Sequence, residues 1–144
     1  MKKPKDYKEI GKMKMIVPDT SIMISGKLTE LIESGKLENA RIIIPKAVVD
    51  ELQAQASTGK EIGFAGLEEI KKLRKIDEGK NIEVEFSGER PTLEEIQLAR
   101  KGRIDAIIRD VAKLHNAVLL TADYVQALVA EVEGIEVEYI PKVM

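Results

Sequence analysis

Four acidic residues occupy positions where an alternation of strands and helices would gather them. Asp19 directly follows the apolar run Met15-Ile16-Val17 and Pro18, and Asp123 follows Val118 to Leu120 with Thr121 between. Glu51 lies inside the helix expected after Arg41 to Ile44, three residues from Val48 and four from Ala47, at the border of that helix's apolar stripe. Asp105 begins the helix expected before the fourth strand, beside Ile104 and three residues from Ile108. If the sheet is parallel, all four can face inward at one end of it. Carboxylates gathered in a cleft repel one another unless a cation joins them. All-oxygen ligation suits a hard ion, Mg2+ or Mn2+, which activates water and binds phosphate oxygens during phosphodiester cleavage. Singly, each acid has an ordinary use: Asp19 can start a turn, Asp105 and Asp123 can cap helices, and an exposed helical Glu is common. Their joint placement carries the reading.

The rest of the composition narrows the chemistry. The chain has no cysteine, which removes disulfides, thiolate zinc sites, iron-sulfur clusters and cysteine nucleophiles, and its one imidazole is His115. His115 continues the stripe of Ile108, Val111 and Ala112, so it reads as a helix-end residue rather than a ligand. With 23 basic and 25 acidic residues the formal charge is -2, so any nucleic-acid contact must be local. Two Phe, three Tyr and no Trp are too few for an RRM-like or OB-like stacking surface. No membrane span or secretory signal fits the sequence, and a cytoplasmic protein is expected.

The elements that must position the acids follow from periodicity. Continuous apolar runs at Met15 to Val17, Arg41 to Ile44 and Ala117 to Leu120, with the alternating stretch Asn81 to Phe86 and the segment Ile135 to Tyr139, read as five strands. Pro18-Asp19-Thr20-Ser21 reads as a turn, followed by a short helix from Leu28 to Glu33. Helices are expected from Pro45 to Ala56, then after the Gly63 and Gly66 region, then from Leu93 to Lys101 with Thr92 as N-cap and Glu95 three residues on. One more starts after Gly102, and a last one runs from Asp123 to about Val132. Strands separated by helices imply an α/β fold: a three-layer α/β/α sandwich with a central, mainly parallel five-stranded sheet. Ligands of such sheets sit beyond the carboxyl ends of the strands, where the strand order reverses. Residues 1–13, rich in lysine, are expected to be a flexible basic arm, 14–140 the domain, and 141–144 a tail from which further domains could continue.

The ordered set Ile16-Val17-Pro18-Asp19-Thr20-Ser21, Ile44-Pro45 to Val49-Asp50-Glu51-Leu52, Ile104-Asp105-Ala106-Ile107-Ile108 and Leu119-Leu120-Thr121-Ala122-Asp123 resembles the PIN domain family of metal-dependent ribonucleases, over about Met15 to Tyr139. The resemblance implies that Asp19, Glu51, Asp105 and Asp123 form the metal site and act in catalysis. It also implies that Thr20, Ser21 and Thr121 orient ligands or a metal-bound water, and that the reaction is in-line attack of water on an RNA phosphodiester. Some members carry a further acid soon after the last one, whereas Tyr124, Val125 and Gln126 follow Asp123 here, which implies a weaker second metal position. The stretches Ile62 to Glu69, Gly88 to Thr92 and Asp123 to Ala127 look most like archaeal proteins in which a PIN domain precedes an ATPase and a KH domain. The chain itself has no G-x-x-x-x-G-K-[ST] loop, so no ATPase activity belongs to these residues. A homo-oligomer is implied on family grounds alone.

Phosphate approaching four acids needs cations. Arg100, Lys101 and Arg103, with Arg109 nearby, are the better-placed group for an RNA backbone. Lys71, Lys72, Arg74 and Lys75 alternate with acids and read as a solvated face. Asp110 is expected to be exposed, and so is Asp50, with Lys46 as its partner. The competing reading is a weakly active or inactive RNA-binding or assembly module at the N-terminus of a larger ATPase. An aspartyl phosphatase fails on spacing, because Ser21 stands where the second acid should be.

Overall fold

A computed structural model describes residues 13–76, 80–98 and 101–141, with the backbone alone at Lys101. The expected basic arm therefore lies outside the described residues apart from Met13, as do Arg100, the Lys101 side chain and the tail beyond Pro141. The strands are β1 (Lys14–Pro18), β2 (Ala40–Pro45), β3 (Ile82–Ser87), β4 (Val118–Thr121) and β5 (Val137–Tyr139). The helices are α1 (Thr20–Ser25), α2 (Lys27–Glu33), α3 (Lys46–Ser57), α4 (Glu61–Lys75), α5 (Leu93–Gln97), α6 (Lys101–His115) and α7 (Tyr124–Val132).

All strand pairings are parallel, and the order is β3-β2-β1-β4-β5. The chain steps outward from β1 to β3, then returns past β1 to β4 and β5. With right-handed crossovers this reversal puts α1 to α4 on one face and α5 to α7 on the other. The result is the α/β/α sandwich expected from the sequence. Strands buried on both faces must be apolar throughout, and Ile42, Ile43, Ile44, Val17 and Leu119 are fully buried between the helix layers. The reversal falls between β1 and β4, the strands that lead into Asp19 and Asp123.

Four local expectations are corrected. The segment after Pro18 is a helix, not a turn: Asp19 is the N-cap of α1, accepting the Ile22 N–H, and Gly26 at φ 72° closes α1 while starting α2. The short apolar phase of Ile22 and Met23 was too brief to show helical periodicity by itself. Gly63 and Gly66 lie inside α4 rather than before it, because the helix is pressed onto α3. A Cβ at Gly63 would meet the Ala56 backbone nitrogen at 2.3 Å, and one at Gly66 the Leu52 side chain at 2.4 Å. This contact seats α3 one residue from Glu51. The helix from Leu93 has the expected capping box between Thr92 and Glu95 but stops at Gln97. Gly102, expected to separate two helices, stands within α6, where nothing lies within 4 Å of a Cβ and the exposed first turn tolerates it.

Candidate active site

The ladder between β1 and β4 runs to the pairing of Pro18 with Leu120, and the Asp19 N–H adds a last bond to the Leu120 carbonyl at 3.0 Å. Beyond it the two chains part into their helices. Asp19, the residue after β1, is 3% exposed. Its Oδ1 accepts from the Ile22 N–H at 3.1 Å and from Ser21 Oγ at 2.6 Å, and its Oδ2 accepts from Thr121 Oγ1 at 2.5 Å. Both hydroxyls are used twice. Ser21 Oγ accepts the Ala122 N–H at 2.9 Å, and Thr121 Oγ1 accepts the Asp123 N–H at 2.9 Å, so the two strand ends are stitched together around one carboxyl group. Donors fixed by the backbone orient that group without further reorganisation.

Glu51 reaches the crevice from α3, where Thr20 Oγ1 donates to its Oε1 at 2.6 Å. Asp123 is the N-cap of α7 and accepts from the N–H groups of Val125 at 3.0 Å and Gln126 at 3.3 Å. Thr20, Ser21, Glu51 and Asp123 line one cavity of about 570 Å³, together with Gln55, Tyr124 and Tyr139. Asp105 is not among the lining residues. It sits half-buried in α6, tied to α7 through its carbonyl, which accepts from Gln126 Nε2 at 3.2 Å. Its neighbour Ile104 lines an adjoining cavity that shares Glu51 and Gln55 with the first.

The donors suit a hard dication in kind, since every candidate ligand is an oxygen. A further sign of fit is Gln55, a residue that lines both cavities and whose Oε1, among the described residues, is buried with no hydrogen-bond partner. A buried oxygen of this sort calls for a donor such as water or a bound hydroxyl. In arrangement, no three His, Asp or Glu side chains among the described residues stand close enough to hold an ion as they are.

Arg103 and Arg109 are engaged with acids and amides. Arg103 pairs with Glu95 at 3.0 Å and Glu89 at 3.4 Å. Arg109 bonds Glu133 through Nε at 3.0 Å and Gln126 Oε1 through Nη1 at 2.8 Å. The Arg109 hydrogen bond, followed by that from Lys113, holds the Glu133 carboxyl below its ordinary value, and Glu95 is lowered by the Thr92 backbone N–H and then by Arg103. Asp50 is paired with Arg90 at 2.5 Å rather than with Lys46, and its side chain is 15% exposed, which corrects the expectation of a solvent-facing acid. Asp110 is exposed as expected.

Two features beside the candidate acids were not foreseen from the sequence. Gln126, 1% exposed, links two of the acids: its backbone N–H donates to Asp123 and its side chain to the Asp105 carbonyl. The legible signal was a polar residue in phase with Ala127 and Ala130 on the buried side of α7. The other is the pair Tyr124 and Tyr139, at opposite ends of the βα unit, whose meeting no local pattern encodes.

A doubly wound parallel sheet, with acids and hydroxyls beside the point where its strand order reverses, defines an α/β domain whose candidate site lies where such sheets bind their ligands. The family model of the PIN domain matches residues 16–132, and the chain belongs to that family. PIN domains are generally nucleases. The chain is 53% identical over 127 residues to an uncharacterized KH and PIN-domain containing protein of Methanocaldococcus jannaschii, covering 88% of this chain and 20% of that protein. It is 30% identical over 134 residues to an uncharacterized PIN and TRAM-domain containing protein of Bacillus subtilis, covering 90% of this chain and 33% of that one. The chain thus spans only a fifth to a third of the curated relatives it matches. Among solved structures, a domain of a functionally unknown protein from M. jannaschii superposes with a TM-score of 0.84 at 51% identity, covering 91% of this chain and 94% of that one. No helix among the described residues is long and apolar enough to cross a membrane.

Proposed function

We propose that this domain is a Mg2+- or Mn2+-dependent endoribonuclease that hydrolyses RNA phosphodiesters, with Asp19, Glu51, Asp105 and Asp123 as metal ligands. The observation that carries the reading is one cavity lined by Glu51, Asp123, Thr20 and Ser21, with the buried Asp19 tied to it through the Ser21 and Thr121 hydroxyls. A bound hard dication supplies Lewis-acid polarisation of phosphoryl oxygens and an activated water. The chain supplies orientation. Ser21 and Thr121 hold the Asp19 carboxyl in one rotamer, Thr20 holds Glu51 at the cavity wall, and the amides of α7 hold Asp123. Arg103, with Arg100 and Lys101, receives the RNA backbone. Its pairs with Glu95 and Glu89 lie at the solvent-facing surface, where screening keeps such pairs weak, so a phosphate can exchange for them.

In a longer protein, KH- or TRAM-type segments like those named in the relatives would select the RNA, and an ATPase segment or a second copy would set the geometry of attack. A second reading, an RNA-binding module that does not cut, is favoured by one feature: oxygens of Asp19 and Asp123 already serve as helix caps. The test incubates end-labelled single-stranded RNA with Mn2+ or Mg2+, comparing the parent chain with Asp19→Asn and Asp123→Asn. Metal-dependent cleavage lost in both variants is expected. Cleavage that survives chelation, or is unchanged in both variants, rejects the nuclease reading in this form.

A further inference from the structure

The crevice does not end at the acids. Tyr124, the first residue of α7, and Tyr139, the last of β5, line the same cavity as Glu51 and Asp123, with ring centroids 5.5 Å apart and planes at 59°. They are 58% and 40% exposed, a large aromatic surface left to water beside the polar wall. At that separation and tilt the rings touch edge to face and leave no gap for a third ring between them, so a planar ligand must lie on the outside of the pair. Opposite chemistry completes the cavity: Gln55 Oε1, buried and without a partner among the described residues, is an acceptor awaiting a donor. Aromatic surface, an unsatisfied acceptor and carboxylates in one cavity match the parts of a nucleotide, namely a base π-face, a hydroxyl or N–H donor, and a phosphate brought in with a cation.

We infer that this cavity is a subsite for one unpaired ribonucleotide of the substrate, whose base stacks on the Tyr124–Tyr139 pair while Gln55 accepts a hydrogen bond from the same nucleotide. The inference rests on the reading of this site as RNA-directed, and it adds the residues that hold the base, a hold that requires the base to be unpaired. A base paired in a helix has both faces covered and its edge engaged, and must leave the stack before it can reach the rings. Sequence tolerance follows, because every base has a π-face. The low aromatic content that excludes a broad stacking sheet is enough for a single platform.

The experiment measures binding by fluorescence anisotropy in the 144-residue chain carrying Asp19→Asn, so that no RNA is consumed. The probes are a labelled oligoadenylate of about ten nucleotides, the same strand paired with oligouridylate, and its deoxy counterpart, each compared with Tyr124→Ala, Tyr124→Phe and Gln55→Leu added. The single strand is expected to bind more tightly than the duplex. Tyr124→Ala should weaken single-strand binding about 5- to 150-fold, the range measured for one stacked base, and Tyr124→Phe should restore it. Gln55→Leu should weaken RNA alone if the donor is the 2′-hydroxyl, and RNA and DNA alike if it is a base N–H. Equal affinity for duplex and single strand, or unchanged affinity in Tyr124→Ala, overturns the inference. Tyr124 is exposed, so its replacement leaves the core intact. The two readings fail separately. Stacking-dependent binding without metal-dependent cleavage sinks the nuclease, whereas cleavage with a KM indifferent to Tyr124→Ala sinks the subsite.

Discussion

Asp19 and Glu69 are equally buried, each 3% exposed, and each serves the start of a helix. Asp19 caps its own helix α1 through the Ile22 N–H. Glu69 caps a foreign one: from α4 its Oε2 accepts the Thr29 N–H at 2.8 Å and its Oε1 accepts Thr29 Oγ1 at 2.9 Å, standing in for the side chain that Gly26 lacks at the N-cap of α2. The donors are of the same kind and the burial is the same. The surroundings are not. Glu69 is enclosed by α2 and α4 and lines none of the cavities described above, while the hydroxyls around Asp19 lead to Glu51, Asp123 and open solvent. A buried, hydrogen-bonded acid is thus no sign of a site. On the proposed reading, what separates the two carboxyls is an adjoining cavity with other acids on its wall.

That contrast can be broken most sharply at Asp19. Asp19→Asn keeps a good N-cap, so its melting temperature should stay near the parent's. Loss of a ligand should cost at least the 10- to 100-fold known for outer-shell partners, so metal-dependent RNA cleavage should fall about 100-fold or more. A variant that unfolds instead would make Asp19 a structural acid like Glu69. The mirror experiment is Glu69→Leu, which strands two donors of Thr29. It should lower unfolding free energy by about 3 kcal/mol in urea titrations while leaving cleavage per folded molecule unchanged. Gln126→Leu sharpens the comparison, since Gln126 touches no substrate and acts through Asp105 and Asp123. An effect of about 10-fold is expected, seen as a higher Mn2+ requirement that Gln126→Glu, lacking the donor to the Asp105 carbonyl, does not rescue.

The smallest effect concerns acid. Glu133 is held below its ordinary value of 4.5 by Arg109 and Lys113, so its contribution to stability is present above that value and is lost as pH falls through the depressed one. Carboxyl NMR shifts should show Glu133 titrating below 4.5, and Arg109→Leu should move the titration upward. An unmoved midpoint would mean that the brace between α6 and α7 is absent in solution.

Much of the frame was legible because it is written in local patterns. Strands covered on both faces must be continuously apolar, so Ile42 to Ile44 and Val118 to Leu120 declared themselves. Capping signals likewise located α5 and α7, through Thr92 with Glu95 and through Asp123. Patterns failed where tertiary contact overrode propensity. Gly63 and Gly66 would break an isolated helix, yet α4 runs through them because their missing side chains admit α3. Asp50 found Arg90, forty residues away in the chain, in place of the nearer Lys46.

The sequence by itself determined the alternation of strands and helices, the parallel direction of the strands that follows from it, and the arrival of acids at strand ends, because periodicity and turn chemistry act over a few residues. Only the tertiary structure decided which acids share a cavity. It set Glu51 against the Thr20 hydroxyl and the Asp123 backbone against the Thr121 hydroxyl that holds Asp19, tied Asp105 in through Gln126, sealed Glu69 inside, and set Tyr124 beside Tyr139. The physical reason is that side-chain convergence depends on how closely helices pack and where strand order reverses, quantities fixed by contacts between distant segments rather than by any one of them.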